Sequence, residues 1–284
     1  MARDMTKYTV KDDIFLHSLL AGIEGANDVD GLDPYLIGGG AVQFYAFTPE
    51  LLRPTLDVDL QTRYSAGKGK RRQWGNAAIA RLRQRGYIGA YHNVRSGGEI
   101  DIAVPEDCPR FFLHLDIYTP RFYQEHAHEL EETFERRRPL SLPEMQADIG
   151  YFVESPEDLV ANKLKRPLHA KHIGRLCPED QALVTQLTAG GIDDVDVGDL
   201  EERLSDTLAL RGLGMEEITR QGFGKAVEMI EHYKDQKDIY DILLLIKSDR
   251  QTGGRLFTDK RLIKDGVEHY LSSHPFHELN EKES

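Results

Sequence analysis

The spacing of apolar residues changes along this chain, and each change marks an element. Val10, Ile14, Phe15, Leu19, Leu20 and Ile23 recur every three or four residues and predict an amphipathic helix over 10–25. Gly25 to Pro34 has the Gly, Asn, Asp and Pro content of a loop. Tyr35, Leu36 and Ile37 then read as a short strand that stops at Gly38, Gly39 and Gly40. Ala41, Val42, Phe44, Tyr45 and Phe47 resume helical spacing. Leu56 to Leu60 alternates strictly, which puts Asp57 and Asp59 on one face of a strand and the apolar residues on the other.

The pattern continues with a helix over 73–85 closed by Gly86, and strands over 87–94, 99–104 and 111–118. Beyond Pro120 helical spacing takes over. Candidate helices are 121–137, one starting at Ser155-Pro156-Glu157-Asp158, and one from Pro178 to Gly190-Gly191. Three more follow at 198–211, 214–247 and 258–272. The expected fold class is therefore α/β (α+β), a mixed sheet with flanking helices followed by a helical C-terminal domain. The expected boundaries are 1–120 and 121–284.

Composition narrows the class. The chain has 284 residues, 40% hydrophobic and 30% charged, enough for about two packed domains. No run of about 18 apolar residues predicts a membrane span, and the N-terminal stretch lacks the apolar core of a secretory signal. A cytoplasmic protein with no membrane partner is the expectation. Cys108 and Cys177 form no CxxC pair, so neither a zinc ribbon nor a disulfide framework is indicated. The net charge of −12 argues against a broad, sequence-independent grip on nucleic acid. Local basic clusters exist at Lys68-Gly69-Lys70-Arg71-Arg72 and at Arg136-Arg137-Arg138, and both read more readily as solvated surface.

The chemistry concentrates between Tyr35 and Gln61. Two carboxylates on one strand face repel each other unless a divalent cation lies between them. Glycines before a helix let phosphates approach its N-terminal amides. No GxGxxG and no GKS or GKT occurs, so dinucleotide and P-loop assignments fail. A third ligand would complete a two-metal site, and the strand candidates are Asp101 and Asp116. Asp116 is preferred, because an unpaired acid between Leu115 and Ile117 is costly without a partner. Arg53 reads equally as a triphosphate contact or a structural ion-pair partner. Lys163 sits among apolar neighbours, Leu159 and Val160, as a snorkelling lysine or a phosphate contact. Asp238 and Asp241 read more as helix surface and interdomain packing than as site residues. His169 and His172 lack a third ligand, and no HExxH or GxSxG motif is present.

These residues carry a family resemblance. Gly38-Gly39-Gly40-Ala41 followed by Arg53-x-Thr55-x-Asp57-x-Asp59-Leu60 resembles the nucleotidyltransferase superfamily of the DNA polymerase β-like fold. Within it the chain looks most like the AbiEii-type toxin nucleotidyltransferases. SPEDLVANKL resembles that group's lysine helix and places Lys163 on the lysine. KDQKDIYDI resembles its late helix, placing Lys237, Asp238 and Asp241 there, and LHLDIY resembles the strand of the third acid, Asp116. Two departures stand out: Gly40 occupies a position usually Ser or Thr, and Asp235 one that is usually basic.

The resemblance implies an enzyme that transfers a nucleoside monophosphate from an NTP such as ATP to an acceptor hydroxyl. It implies Asp57, Asp59 and Asp116 as catalytic and metal ligands for two Mg2+ ions. It implies nucleotide contacts from Gly38, Gly39, Gly40, Arg53, Thr55 and Lys163. Relatives act as toxins of toxin–antitoxin systems, some on tRNA, so tRNA and a cognate antitoxin protein are the implied partners. Two other readings stay open, a transferase for a small antibiotic-like hydroxyl compound and a non-catalytic nucleotide-binding protein of the same fold.

Overall fold

The computed structural model describes residues 8–92, 99–103, 112–118, 127–142, 145–146, 148–168, 176–220 and 223–273. Cys108, His169 and His172 lie outside them. The described residues cluster into two compact units, a sheet unit of residues 8–44 and 53–155 and a helical unit of Tyr45–Leu52 with residues 156–273.

The sheet unit is built on seven strands: β1 (Pro34–Leu36), β2 (Asp57–Thr62), β3 (Ala90–His92), β4 (Glu99–Ala103), β5 (Phe112–Tyr118), β6 (Arg138–Pro139) and β7 (Phe152–Val153). Their order is β3-β4-β5-β2-β1-β7-β6. The sheet is mixed: β2 runs parallel to β5 and β1 parallel to β7, while the other neighbours are antiparallel. This is the mixed α/β class expected from the alternation. β6 and β7 have two residues each, too few to leave a periodic signal, and the reading of helices alone after Pro120 missed them.

One sheet face is apolar. Val58 and Leu60 on β2, Ile100 and Ile102 on β4, and Leu113, Leu115 and Ile117 on β5 are all buried. Helices α1 (Asp13–Asn27) and α3 (Lys68–Gln84) cover that face. Small residues set the spacing: a Cβ on Gly22 would lie 2.7 Å from Leu60 Cδ1, and one on Gly25 would lie 2.8 Å from the backbone nitrogen of Ala78 on α3. Trp74, the single tryptophan, is fully buried on α3 and donates its indole N–H to the Gly22 carbonyl at 2.8 Å. α3 starts five residues before the expected 73, because Lys68 to Arg72 form a polar, largely exposed first turn that apolar spacing does not register. The first basic cluster is thus part of a helix. The unit also contains α4 (Ala127–Arg136) and most of α2 (Gly38–Tyr45), which opens at the three glycines.

The helical unit comprises α5 (Pro156–Leu164), α6 (Pro178–Ala189), α7 (Leu200–Arg220), α8 (Phe223–Gln251) and α9 (Arg261–Ser273). α5 begins with Pro156, Glu157 and Asp158, an order that suits an unsatisfied helix N-terminus. α6 ends where Gly190 takes the left-handed conformation, φ 87°. The segment Tyr45–Leu52 is part of this unit although both its flanks belong to the other. Tyr240 on α8 donates its hydroxyl to the Leu51 carbonyl at 2.6 Å, and the Phe47 amide donates to Ser248 Oγ at 3.2 Å. No helix among the described residues is long and apolar enough to cross a membrane.

Candidate metal centre

The second face of the central strands is polar, and its residues fall into rows set by the sheet register. Pairing of β2 with β5 puts Asp59 opposite Asp116 and Asp57 opposite His114. Pairing of β5 with β4 puts Asp116 opposite Glu99 and His114 opposite Asp101. One row therefore reads Glu99, Asp116, Asp59, and the next Asp101, His114, Asp57. Each strand contributes residues at i and i+2, since only alternate residues share a face.

Asp116 occupies the middle of its row. Its Oδ1 is buried and accepts no hydrogen bond, while Oδ2 accepts one from the Tyr118 hydroxyl at 3.4 Å. Burial, and then the negative charges of Glu99, Asp59 and Asp57, push its carboxyl from 3.8 up to about 7, against a small opposing effect of His114. The Tyr118 hydroxyl is also raised, first by burial and then by Asp59, Asp116 and Asp57. A desolvated carboxyl amid carboxylates, with one oxygen lacking any donor, is chemically suited to a cation. The all-oxygen set Asp57, Asp59 and Asp116 fits Mg2+, which takes oxygen ligands and retains waters.

The glycine turn adjoins this row. The Ile37 amide donates to the Asp59 carbonyl at 2.9 Å. Gly38 adopts φ +69°, which a side chain rarely tolerates, and a Cβ there would lie 2.9 Å from Asp59 Oδ2. A Cβ on Gly39 would lie 2.7 Å from the Arg53 guanidinium. Gly40 faces elsewhere: its Cβ would meet Phe15 Cζ at 2.8 Å and Leu36 Cδ1 at 3.4 Å. A hydroxyl at this position would point into the apolar core, so the absence of Ser or Thr has a packing reason.

Arg53 and Thr55 are buried where the chain enters β2. Arg53 donates Nη1 to the Pro54 carbonyl at 3.3 Å, and its own carbonyl accepts from Gln43 Nε2 at 2.9 Å. The Thr55 hydroxyl accepts from the Asp57 amide at 3.2 Å, fixing the turn that leads to the first aspartate. Lys163 belongs to the helical unit. There it donates to Asp241 Oδ2 at 2.7 Å and Asp238 Oδ1 at 3.3 Å, and Arg166 also pairs with Asp238. Asp238 and Asp241 are buried rather than exposed on the helix surface, and Lys163 and Arg166 compensate their charge.

Beside the expected acids the structure brings up Glu99, Asp101 and His114. His114 Nδ1 is 2.8 Å from Asp101 Oδ1 and 3.3 Å from Glu99 Oε1, and one ligand atom from each of the three lies within 4.8 Å of the others. These three could hold a metal ion. Glu99 and His114 escaped the reading of the chain, although each stands two residues from an acid that was singled out. The i, i+2 rule that found Asp57 and Asp59 would have flagged both.

No family model matches the chain, and no curated protein does. Among solved structures it is similar to the crystal structure of an antigenic nucleotidyltransferase-like protein from Paracoccidioides brasiliensis. The two share 14% identity over 93% of this chain and 90% of that one, with a TM-score of 0.38.

Proposed function

We propose that the chain is a metal-dependent nucleotidyltransferase that moves a nucleoside monophosphate from an NTP to an acceptor hydroxyl. The observation that carries this reading is the placement of Asp57, Asp59 and Asp116 on one sheet face of paired strands beside the Gly38 turn, with Asp116 Oδ1 buried and lacking a hydrogen bond.

In this reading Asp57, Asp59 and Asp116 hold Mg2+, which when bound neutralises charge on the triphosphate and aligns the reacting oxygens. The backbone at Gly38 and Gly39 has no Cβ to keep phosphate oxygens from the α2 amides. Asp116, ionised when it holds a cation, would be placed to take the acceptor's proton. The acceptor oxygen then bonds to the α-phosphorus, the α–β phosphoanhydride bond breaks, and pyrophosphate leaves with the bonding electrons. Arg53, beside Gly39, supplies positive charge near the turn.

A tRNA acceptor and a toxin role in a toxin–antitoxin pair belong to this proposal through the sequence resemblance. The net charge of −12 favours a second acceptor class, a small cationic hydroxyl compound. One assay separates them: the full chain is incubated with each α-labelled NTP, Mg2+ and total RNA, then with aminoglycoside-type hydroxyl compounds. Label in RNA supports the first acceptor, and label in a small product supports the second. Absence of transfer to either, with wild type indistinguishable from Asp57→Asn, overturns the proposal and leaves a nucleotide-binding protein without turnover.

A further inference from the structure

The polar face carries a donor set that the transfer reading does not use. Glu99 and Asp101 lie on β4, and His114 lies on β5, where it is the register partner of Asp57 on β2. Asp101 is nearly buried, with its side chain 11% exposed, and the His114 side chain is 31% exposed. Among the described residues no lysine or arginine pairs with Glu99 or Asp101, so His114 is the one basic group set against two carboxylates. The arrangement is also held stiffly. All three residues sit inside paired strands, with Asp101 directly opposite His114 in the register.

The adjoining row adds further negative charge beside this cluster. Glu99 is the register partner of Asp116, whose buried Oδ1 accepts no hydrogen bond. Two carboxylates facing each other across a strand pair, one with an oxygen that nothing satisfies, are unfavourable unless a cation lies nearby. In that row Glu99 and Asp59 stand at opposite ends, with Asp116 between them.

We propose that Glu99, Asp101 and His114 form a distinct divalent-cation site that selects a transition metal of the Zn2+ or Mn2+ type over Mg2+. The donor chemistry sets the preference. One imidazole nitrogen and two carboxylates suit ions that accept both nitrogen and oxygen, whereas Mg2+ prefers oxygen alone. Three protein ligands leave at least one position for water, the pattern of an open rather than a closed site. The donor atoms already lie within 4.8 Å of one another, and bonds of about 2.0–2.2 Å to a shared ion need only small side-chain rotations. The inference goes beyond nucleotidyl transfer and stands whether or not Asp57 and Asp59 serve that reaction.

The test uses the full chain, stripped of metal with a chelator and titrated with Zn2+ against a chromophoric zinc indicator. Wild type is compared with His114→Gln, Asp101→Asn and Asp57→Asn, each checked for folding by thermal unfolding without metal. Wild type and Asp57→Asn are expected to bind one Zn2+ that the His114 and Asp101 variants lose or hold about 100-fold more weakly. A large excess of Mg2+ should leave that Zn2+ in place. Two carboxylate variants keep the test open if His114→Gln fails to fold: Asp101→Asn and Glu99→Gln must weaken the same site. Equal Zn2+ stoichiometry and affinity in wild type and in the folded His114, Asp101 or Glu99 variants would overturn the proposal, as would displacement of Zn2+ by millimolar-range Mg2+. Loss of binding in Asp57→Asn but not in His114→Gln would overturn it too, by assigning the ion to the other acids. Labelled-NTP transfer is scored separately, so failure of one reading is distinguishable from failure of the other.

Discussion

Replacing Asp116 by Asn should stabilise the metal-free protein at neutral and alkaline pH. Its carboxyl is held at about 7 in the folded state against 3.8 ordinarily, first by burial and then by Glu99, Asp59 and Asp57. Between these two values the folded protein retains a proton that the unfolded chain has released. Stability therefore falls as pH rises from about 4 to about 7 and stays low above it. The full loss corresponds to about 4 kcal/mol, a maximum because the side chain is partly solvated. An amide mimics the neutral acid and escapes the loss. Urea unfolding in the presence of a chelator measures it, followed by fluorescence of Trp74, which is buried in the same unit. The gain of Asp116→Asn over wild type should approach about 4 kcal/mol near pH 8 and be smaller by about 3 kcal/mol near pH 5. Added Mg2+ should stabilise wild type and not the variant. A variant less stable than wild type near pH 8, or a gain independent of pH, would refute the reasoning.

Other outcomes follow from single contacts. Lys163→Ala should cost about 3–5 kcal/mol, read by thermal unfolding, because it removes the cation bonded to buried Asp241 and leaves Asp238 with Arg166. Lys163→Ala combined with Asp241→Asn should recover part of that loss. Gly25→Ala should destabilise by about 1–3 kcal/mol, since the new methyl meets the α3 backbone at Ala78. Gly38→Ala should cost about 1 kcal/mol or more of stability from its positive φ and should also weaken Mg2+ binding, measured by calorimetry, because its Cβ crowds Asp59 Oδ2. Asp57→Asn should abolish nucleotide transfer while leaving the unfolding midpoint within about 1 kcal/mol of wild type, since Asp57 is exposed.

The elements that were legible from the chain alone are those whose side chains report their own surroundings. Alternation in 57–60, 99–103 and 112–118 is visible because one face of each strand is packed and the other is polar. Glycines at 86 and 190 end their helices in left-handed conformations, as their positions suggested. The start of α3 was hidden because its first turn is solvated. α7 runs to Arg220, past the expected end at 211, because Gly212 and Gly214 lie inside a helix that their type alone would interrupt. Asp57 and Asp59 share a face by local geometry alone. The positions of Glu99 and His114 beside them depend on register between strands distant in sequence, which no short window contains. Gly40 shows the converse: read beside two phosphate-type glycines, it is set by Phe15, a residue 25 positions earlier.

The piece from Tyr45 to Leu52 has a consequence for how the protein is made. Its hydrogen-bonding partners Tyr240 and Ser248 are separated from it by 189 and 201 residues. At about 5–20 residues per second, the ribosome takes roughly 10–40 s to deliver them. During that interval the segment is tethered at both ends to a unit that is not its own, and the Leu51 carbonyl awaits a hydroxyl not yet synthesised. A fragment starting at residue 156 would carry the buried Tyr240 hydroxyl without its acceptor. The two units are thus interleaved in the order of translation, and a cut at any single peptide bond separates at least one of them from part of itself.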